Sequence, residues 1–503
     1  MQIITQTTYT SVAAEVIPVL KRDDLSDSLA VIARRINVPE TVLQRDFKAD
    51  RNETLSMYGA DGNRFVLLGL GKSPVSMDWL KAFRKLFFSE KNKWPQEVLV
   101  DLRGVEGNVV EPVVIGIRMG GYDLGLYKTG KQETTGLYSE QGKLTLLTDV
   151  GMLETAMPAL ARAEAIAQTQ TAMLDIMNAP ASHKSPQTLA DWAIKSGKNY
   201  NYAVTVLDKP ELERQGLGAL LSVSQGSEKP PVLIIAEHKP TASGRNENWP
   251  VVGLVGKGVT FDTGGVSIKT SNNMHLMKSD MGGAAAVLGT VEVAAKLNLP
   301  VHLIGIVPST ENSIDGRSTK PGDVVQSYTG KTIEVIDTDA EGRVILADGL
   351  GYMVRNFRPD IVIDLATLTG SVISALGYHA AGLFTQNDEL AAQLIASGDK
   401  TGERLWRLPL WDAYTEDIKS DVADLKNFSG KPIAGSISAA KFLEVFTERN
   451  EDEAGEERFH PAWAHLDIAG TAFADTEFGS QKNATGFGIR LLIDYLQHLG
   501  ANQ

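Results

Sequence analysis

Apolar residues recur along this chain in two rhythms. Short, nearly unbroken runs stand at residues 64–71 (RFVLLGLG), 97–102 (EVLVDL), 202–207, 232–236, 251–255, 301–307 and 361–365. Runs of that length, closed off by glycine, proline or polar residues, predict buried strands. Residues 28–48, 157–177, 283–297 and 343–354 instead carry the spacing of helices. The stretch 157–177 is rich in Ala, Leu and Gln, has no glycine, and stops short of Pro180, where proline ends helices. Strands alternating with helices predict an α/β fold with a central, mostly parallel sheet flanked by helices.

Length then divides the chain. A sequence of 503 residues exceeds one typical core. The pattern predicts a smaller N-terminal α/β domain over 1–155, a connecting helix over 156–178, and a larger catalytic domain over 179–503. The segment GLGKS (69–73) invites a phosphate-loop reading. That motif needs a glycine five positions before Gly71, and Val66 stands there, so a strand-to-turn junction is expected.

Composition narrows the chemistry. Hydrophobic content of 43% and charged content of 22% are those of an ordinary globular chain. There is no cysteine, which excludes disulfides, thiolate nucleophiles and Cys-ligated metals and suits a reducing compartment. The start, MQIITQTTYTSVAAEVIPVL, lacks a basic n-region, and no apolar run reaches membrane-spanning length, so a cytoplasmic protein is expected. The net charge of −13 argues against a general nucleic-acid binder.

The chemistry concentrates between residues 254 and 343. LVGKGVTFDTGGVSIK (254–269), MKSDMGGAAA (277–286) and DTDAEGR (337–343) set four carboxylates, Asp262, Asp280, Asp339 and Glu341, among glycines with Lys257, Lys269 and Arg343. Glycine lets a backbone approach a ligand closely, so charge among glycines reads as a built site. A single acidic residue is usually just solvated. Here the acids follow two apolar runs, 251–256 and 331–336, and so fall past strand carboxyl ends, where α/β folds place ligands. Four carboxylates balance two divalent cations, and hard oxygen ligands suit Zn, Mn or Mg. Asp339 and Glu341, two positions apart, project to one side if their segment is extended. Two cations can lower the pKa of a shared water and hold a tetrahedral oxyanion, as peptide hydrolysis requires. Other hydrolase patterns are missing: no histidine begins H-E-x-x-H, and Ser224 has Ser222 where G-x-S-x-G needs its first glycine. Of eight histidines, His465 in WAHLDIAG is expected to be a satisfied core residue.

These motifs closely resemble the leucine aminopeptidase (cytosol aminopeptidase) family. Its NTDAEGR signature stands here as DTDAEGR, and its GKGxTFDSGGxSIK as GKGVTFDTGGVSIK. GLGALLSVSQGSEKPP (216–231), DLATLTG (364–370) and WAHLDIAG also match, so the likeness runs from about Asn178 onward. The resemblance implies removal of N-terminal residues, leucine and other apolar ones preferred, by a metal-bridging hydroxide. It implies that Lys257, Asp262, Asp280 and Glu341 ligate an exchangeable metal, and that Asp262, Asp339 and Glu341 ligate a tighter one. It makes Lys269 the electrophile and Arg343 the anchor of a bicarbonate general base. Met277, Thr367, Leu368 and Gly370 match positions that line the first substrate pocket or bind the peptide backbone. A homohexamer acting on peptides is implied as well. Other two-metal hydrolases remain an alternative, although phosphoesterases commonly add histidine ligands and none falls in these motifs. A binding protein with a vestigial site is a further alternative, since some bacterial members also bind DNA. Two departures stand out: Asp337 replaces the family's Asn, a fifth carboxylate near the metals, and an acidic stretch, EDEAGEER (451–458), precedes WAHLDIAG.

Overall fold

The computed structural model describes residues 1–59, 61–105, 109–130, 134–241, 249–448, 459–474, 476, 478–479 and 482–501. It divides into two compact units, Met1–Thr171 and Ala172–Gln503. The division falls within one helix, Leu153–Asn178, which starts four residues earlier than the sequence pattern predicts. Pro158 lies in its second turn, where the missing N–H costs a single helical hydrogen bond. No helix among the described residues is long and apolar enough to cross a membrane.

Among the described residues the first unit forms a six-stranded sheet. Its order is Gln2–Gln6, Lys143–Leu147, Glu97–Asp101, Ala14–Val19, Arg64–Gly69 and Thr54–Tyr58. The last strand is antiparallel and the others run parallel. The expected helix over 28–48 is two helices, Ser26–Ile36 and Glu40–Asp46. Asn37 turns left-handed (φ 57°) and Pro39, which disfavours helical backbone before it, sits at the break. Gly69 ends its strand and Gly71 follows with φ 74°, the geometry of a turn.

The second unit carries a nine-stranded sheet. Its centre is four parallel strands in the order Ala462–Asp467, Ile361–Ala366, Val251–Gly256 and His302–Asn312. Antiparallel pairings begin on either side, toward Ala381–Phe384 and Val232–His238. These central strands are near-continuous apolar runs because both of their faces are covered. A Cβ on Gly253 would strike the Met353 side chain, and one on Gly305, beside Leu254, would strike Val287 and Val291. Successive residues face opposite ways, so the helices Glu341–Phe357 and Gly282–Leu297 cover opposite faces. Under the first lies a core of Val255, Ile304, Ile306, Val344, Leu350 and Met353.

Two local expectations change. After Gly256 the chain makes a second short strand, Gly258–Asp262, which pairs with His302–Asn312, so Asp262 closes a strand of its own. The apolar run 331–336 gives only Thr332–Glu334, in a separate three-stranded sheet with Val324–Gln326 and Leu425–Lys426.

Candidate metal centre

The carboxyl ends of the central strands lie level: Leu365 pairs with Gly256, Ala366 with Asp467, and Asp262 with Asn312. Lys257 follows the first of these ends directly. Its amine lies 2.8 Å from Asp280 Oδ2 and 2.7 Å from Glu341 Oε1, and it donates to the Thr367 carbonyl at 3.0 Å. Gly342 makes this approach possible, because a Cβ there would sit 2.7 Å from Lys257 Cε. Asp262 Oδ1 accepts from Gly264 N and Asn312 Nδ2, both at 2.8 Å, while Oδ2 lies 2.6 Å from Lys269 Nζ. Gly264 holds φ +85° in the turn that follows, a conformation that favours glycine. Lys269 also pairs with Asp339. The four acids are thus gathered by the two lysines into Asp280 with Glu341 and Asp262 with Asp339.

Asp339 and Glu341 do not lie on an extended segment. Glu341 opens the helix Glu341–Phe357, and Asp339 stands in the turn before it. Asn427 fixes that turn: its amide group bonds the backbone of Ile336, Asp337 and Ala340. Asp337 lines the same cleft as these acids. Its Oδ1 accepts the Asp339 N–H at 2.9 Å, a task that an asparagine oxygen performs equally well. The acidic stretch 451–458 lies outside the described residues.

One oxygen from each of Asp262, Asp280 and Glu341 lies within 4.8 Å of the others, and all three residues are buried. Among the described residues Asp280 Oδ2 and Glu341 Oε1 meet only the Lys257 amine, at 2.8 and 2.7 Å. Four acids paired with only two lysines leave a surplus of negative charge in a largely buried cluster, so the donor set fits a divalent metal. The electrostatics agree. Burial pushes Asp280 well up, against the pull of Lys257. Burial and the Asp262 charge push Asp339 up to about 7. Burial opposes charge on Lys257, but Asp280, Glu341 and Asp262 outweigh it and raise the amine above the usual lysine range. The same contest, with Asp262, Glu341 and Asp339, raises Lys269.

The cluster floors a cleft of about 670 Å³. Lys257, Asp262, Lys269, Met277, Asp280, Asp339, Arg343, Thr367, Leu368 and Gly370 all line it, and Glu341 lies covered beneath. Arg343 is buried, its Nε has no hydrogen-bond partner among the described residues, and burial brings its pKa down to about 10. The cleft-lining loop 367–370 is held by Asp467. This fully buried carboxylate accepts from Leu368 N (3.1 Å), Thr369 N (3.4 Å), Thr369 Oγ1 (2.6 Å) and Ala469 N (3.2 Å). His465 is buried two positions earlier, with Nδ1 2.6 Å from Asp364 and Nε2 without a partner among the described residues. It is not among the residues that line the cleft. Asn312, Asn427 and Asp467 were not singled out by sequence. Asp467 stands in a recognisable segment, but Asn312 and Asn427 carry no local signal.

The match to known proteins covers the same region. A model of the cytosol aminopeptidase family, catalytic domain, matches residues 171–493. A probable cytosol aminopeptidase of Chlorobium limicola is 40% identical over 476 residues, 91% of this chain and 92% of that one. Another, of Geobacter sp., is 46% identical over 389 residues, 77% and 75% of the two chains. The solved cytosol aminopeptidase of Coxiella burnetii superposes with a TM-score of 0.80 at 31% identity, covering 99% of each chain. A bottromycin maturation enzyme solved in complex with Mn gives 0.82 at 30% identity, covering 97% of this chain and all of that one.

Proposed function

We propose, from the premise that this chain belongs to the cytosol aminopeptidase family and is therefore a metal-dependent aminopeptidase, that it removes leucine and other apolar residues from peptide N-termini. The observation that carries the reading is the carboxylate cluster at the floor of the cleft, four acids paired with only two lysines. Lys257, as the neutral amine that adjacent cations would favour, would hold one divalent cation with Asp262, Asp280 and Glu341, and Asp262, Asp339 and Glu341 would hold a second. Zn, Mn and Mg all suit so oxygen-rich a set. Bound there, such cations supply water activation and polarisation of the scissile carbonyl.

The chain's own residues orient and stabilise. Lys269 keeps a positive donor beside Asp262 and Asp339, where the carbonyl oxygen gains charge. Arg343, with an unpartnered donor, is the residue to hold bicarbonate, a general base when bound. Met277, Thr367, Leu368 and Gly370 receive the N-terminal side chain and the peptide backbone. The free α-amine of a peptide would be a ligand for a cation held there, which confines cleavage to the first residue. We assign the catalytic role to residues 179–503, with 1–155 as a separate N-terminal domain and 156–178 as connecting helix, in a cytoplasmic homohexamer.

The test is hydrolysis of leucyl-anilide before chelation, after it, and after return of Mn²⁺, beside the N-acetylated substrate. Activity should vanish and return with the metal, and the blocked substrate should stay intact. Full turnover after chelation, or equal rates on blocked and free substrates, would refute the reading. Light scattering of the active protein should give six times the chain mass, and a monomer mass would remove the hexamer.

A further inference from the structure

Lys184 is a buried lysine with no acidic partner among the described residues. Its residue is 2% exposed, and the ionisable groups acting on it are Lys278 and Lys229, both cationic. Its amine instead donates to three carbonyls: Ile176 (3.0 Å), Met177 (3.1 Å) and Lys278. The first two belong to the last turn of the helix Leu153–Asn178, whose terminal carbonyls lack helical partners and carry the negative end of its dipole. A methionine would fill the same volume without burying an amine, so the hydrogen bonds give the lysine its purpose. The third acceptor shows what they hold. Lys278 stands between Met277, on the cleft wall, and Asp280, in the acid cluster, within the short turn Met274–Ser279.

The same loop is tied to the other half of the site. Lys229 donates to the Ala181 carbonyl (2.8 Å) and the Lys184 carbonyl (3.2 Å), and pairs with Glu311 at 2.6 Å. Glu311 adjoins Asn312, which holds Asp262. One loop therefore braces Asp280 through its own amine and the Asp262 side through Lys229.

We propose that Lys184 is a positioning residue that sets the placement of Met277 and Asp280, and through them the affinity of the Asp280 cation subsite and the fit of the N-terminal side chain. This rests on the aminopeptidase reading above. The test uses the full chain with K184M, and with K184Q in case K184M does not fold. Metal-stripped protein is titrated with Mn²⁺ by calorimetry, and leucyl- and alanyl-anilide are compared at saturating Mn²⁺. The expected result is a weaker Mn²⁺ step reduced by about 10-fold, the scale of one lost buried hydrogen bond, with the tighter step unchanged. The leucine-to-alanine ratio of kcat/KM should shift by about 3-fold or more. If both steps and the ratio stay within about 2-fold of the parent while melting falls, Lys184 merely supports the fold and the inference is overturned. A parent protein without Mn²⁺-dependent leucine release would instead sink the aminopeptidase reading itself.

Discussion

Replacing Asp467 separates the geometry of the substrate loop from the metal chemistry. Asp467 is no member of the acid cluster, yet four donors of 368–369 and 469 converge on it. Asp467→Ala leaves those donors without this acceptor, the two of Thr369 buried and those of Leu368 and Ala469 half-buried. At roughly 1–3 kcal/mol each, with the longest bond weak and the cleft able to admit water, the expected loss is about 3–5 kcal/mol. For a unit of this size that lowers the melting temperature by about 5–10 °C. Asp467→Asn keeps the Oδ1 acceptor and disturbs only the Thr369 hydroxyl bond, so it should cost about 1 kcal/mol. The kinetic effect should be larger than the thermal one. Thr367, Leu368 and Gly370 move with the loop, and a displacement of about 1 Å in a substrate-positioning element costs about 100-fold in rate. Leucyl-anilide kinetics at saturating Mn²⁺, thermal melts and metal analysis together decide it. Asp467→Ala should lose about 100-fold in kcat/KM with metal content unchanged, and Asp467→Asn should stay within about 5-fold. If Asp467→Ala melted within about 2 °C of the parent and kept its kcat/KM, the loop would not depend on that carboxylate.

Three further outcomes are expected. Asp339→Ala and Glu341→Ala should each abolish metal-dependent hydrolysis while far-UV circular dichroism stays native, and surviving turnover in either would contradict the assigned ligand set. Lys257→Ala should lose one metal, with partial rescue by excess Mn²⁺. Lys269→Ala should keep near two metals per chain and lose kcat by about 100- to 1000-fold, and the reverse pattern would exchange the two roles. Asp337→Asn should leave kcat/KM within about 2-fold, because the amide oxygen still accepts the Asp339 N–H, whereas Asp337→Ala should not be silent.

Much of the centre was legible because its parts are dense in chemistry and short in sequence. Three glycine-rich segments carry Lys257, Asp262, Lys269, Asp280, Asp339, Glu341 and Arg343, and the fold draws them to adjoining strand ends and helix starts. What stayed hidden acts across the chain. Asn312 and Asn427 are ordinary asparagines in sequence, and their value comes from which backbone they meet after folding. The pairing of Asp262 with Asp339, and of Asp280 with Glu341, likewise depends on which lysine reaches them. The segment 331–343 misled because an apolar run next to acids reads as a strand feeding an extended ligand segment. The helix beginning at Glu341 and the Asn427 staple turn it instead. Residues 28–48 misled for a nearer reason, since helical spacing on both sides of Pro39 hid a break that the proline itself announces.

The site is assembled from ends of separate strands, from Lys257 through Asn312 and Thr367 to Asp467, and this orders events in time. Contacts so distant along the chain form late, because each long loop must close before its ends can meet. Asp467 lies 99 residues beyond Leu368, whose N–H it accepts. Until the strand Ala462–Asp467 docks beside Ile361–Ala366, the loop at 367–370 has no floor. The site is therefore a property of the closed sheet, and a chain whose sheet has not yet closed lacks it.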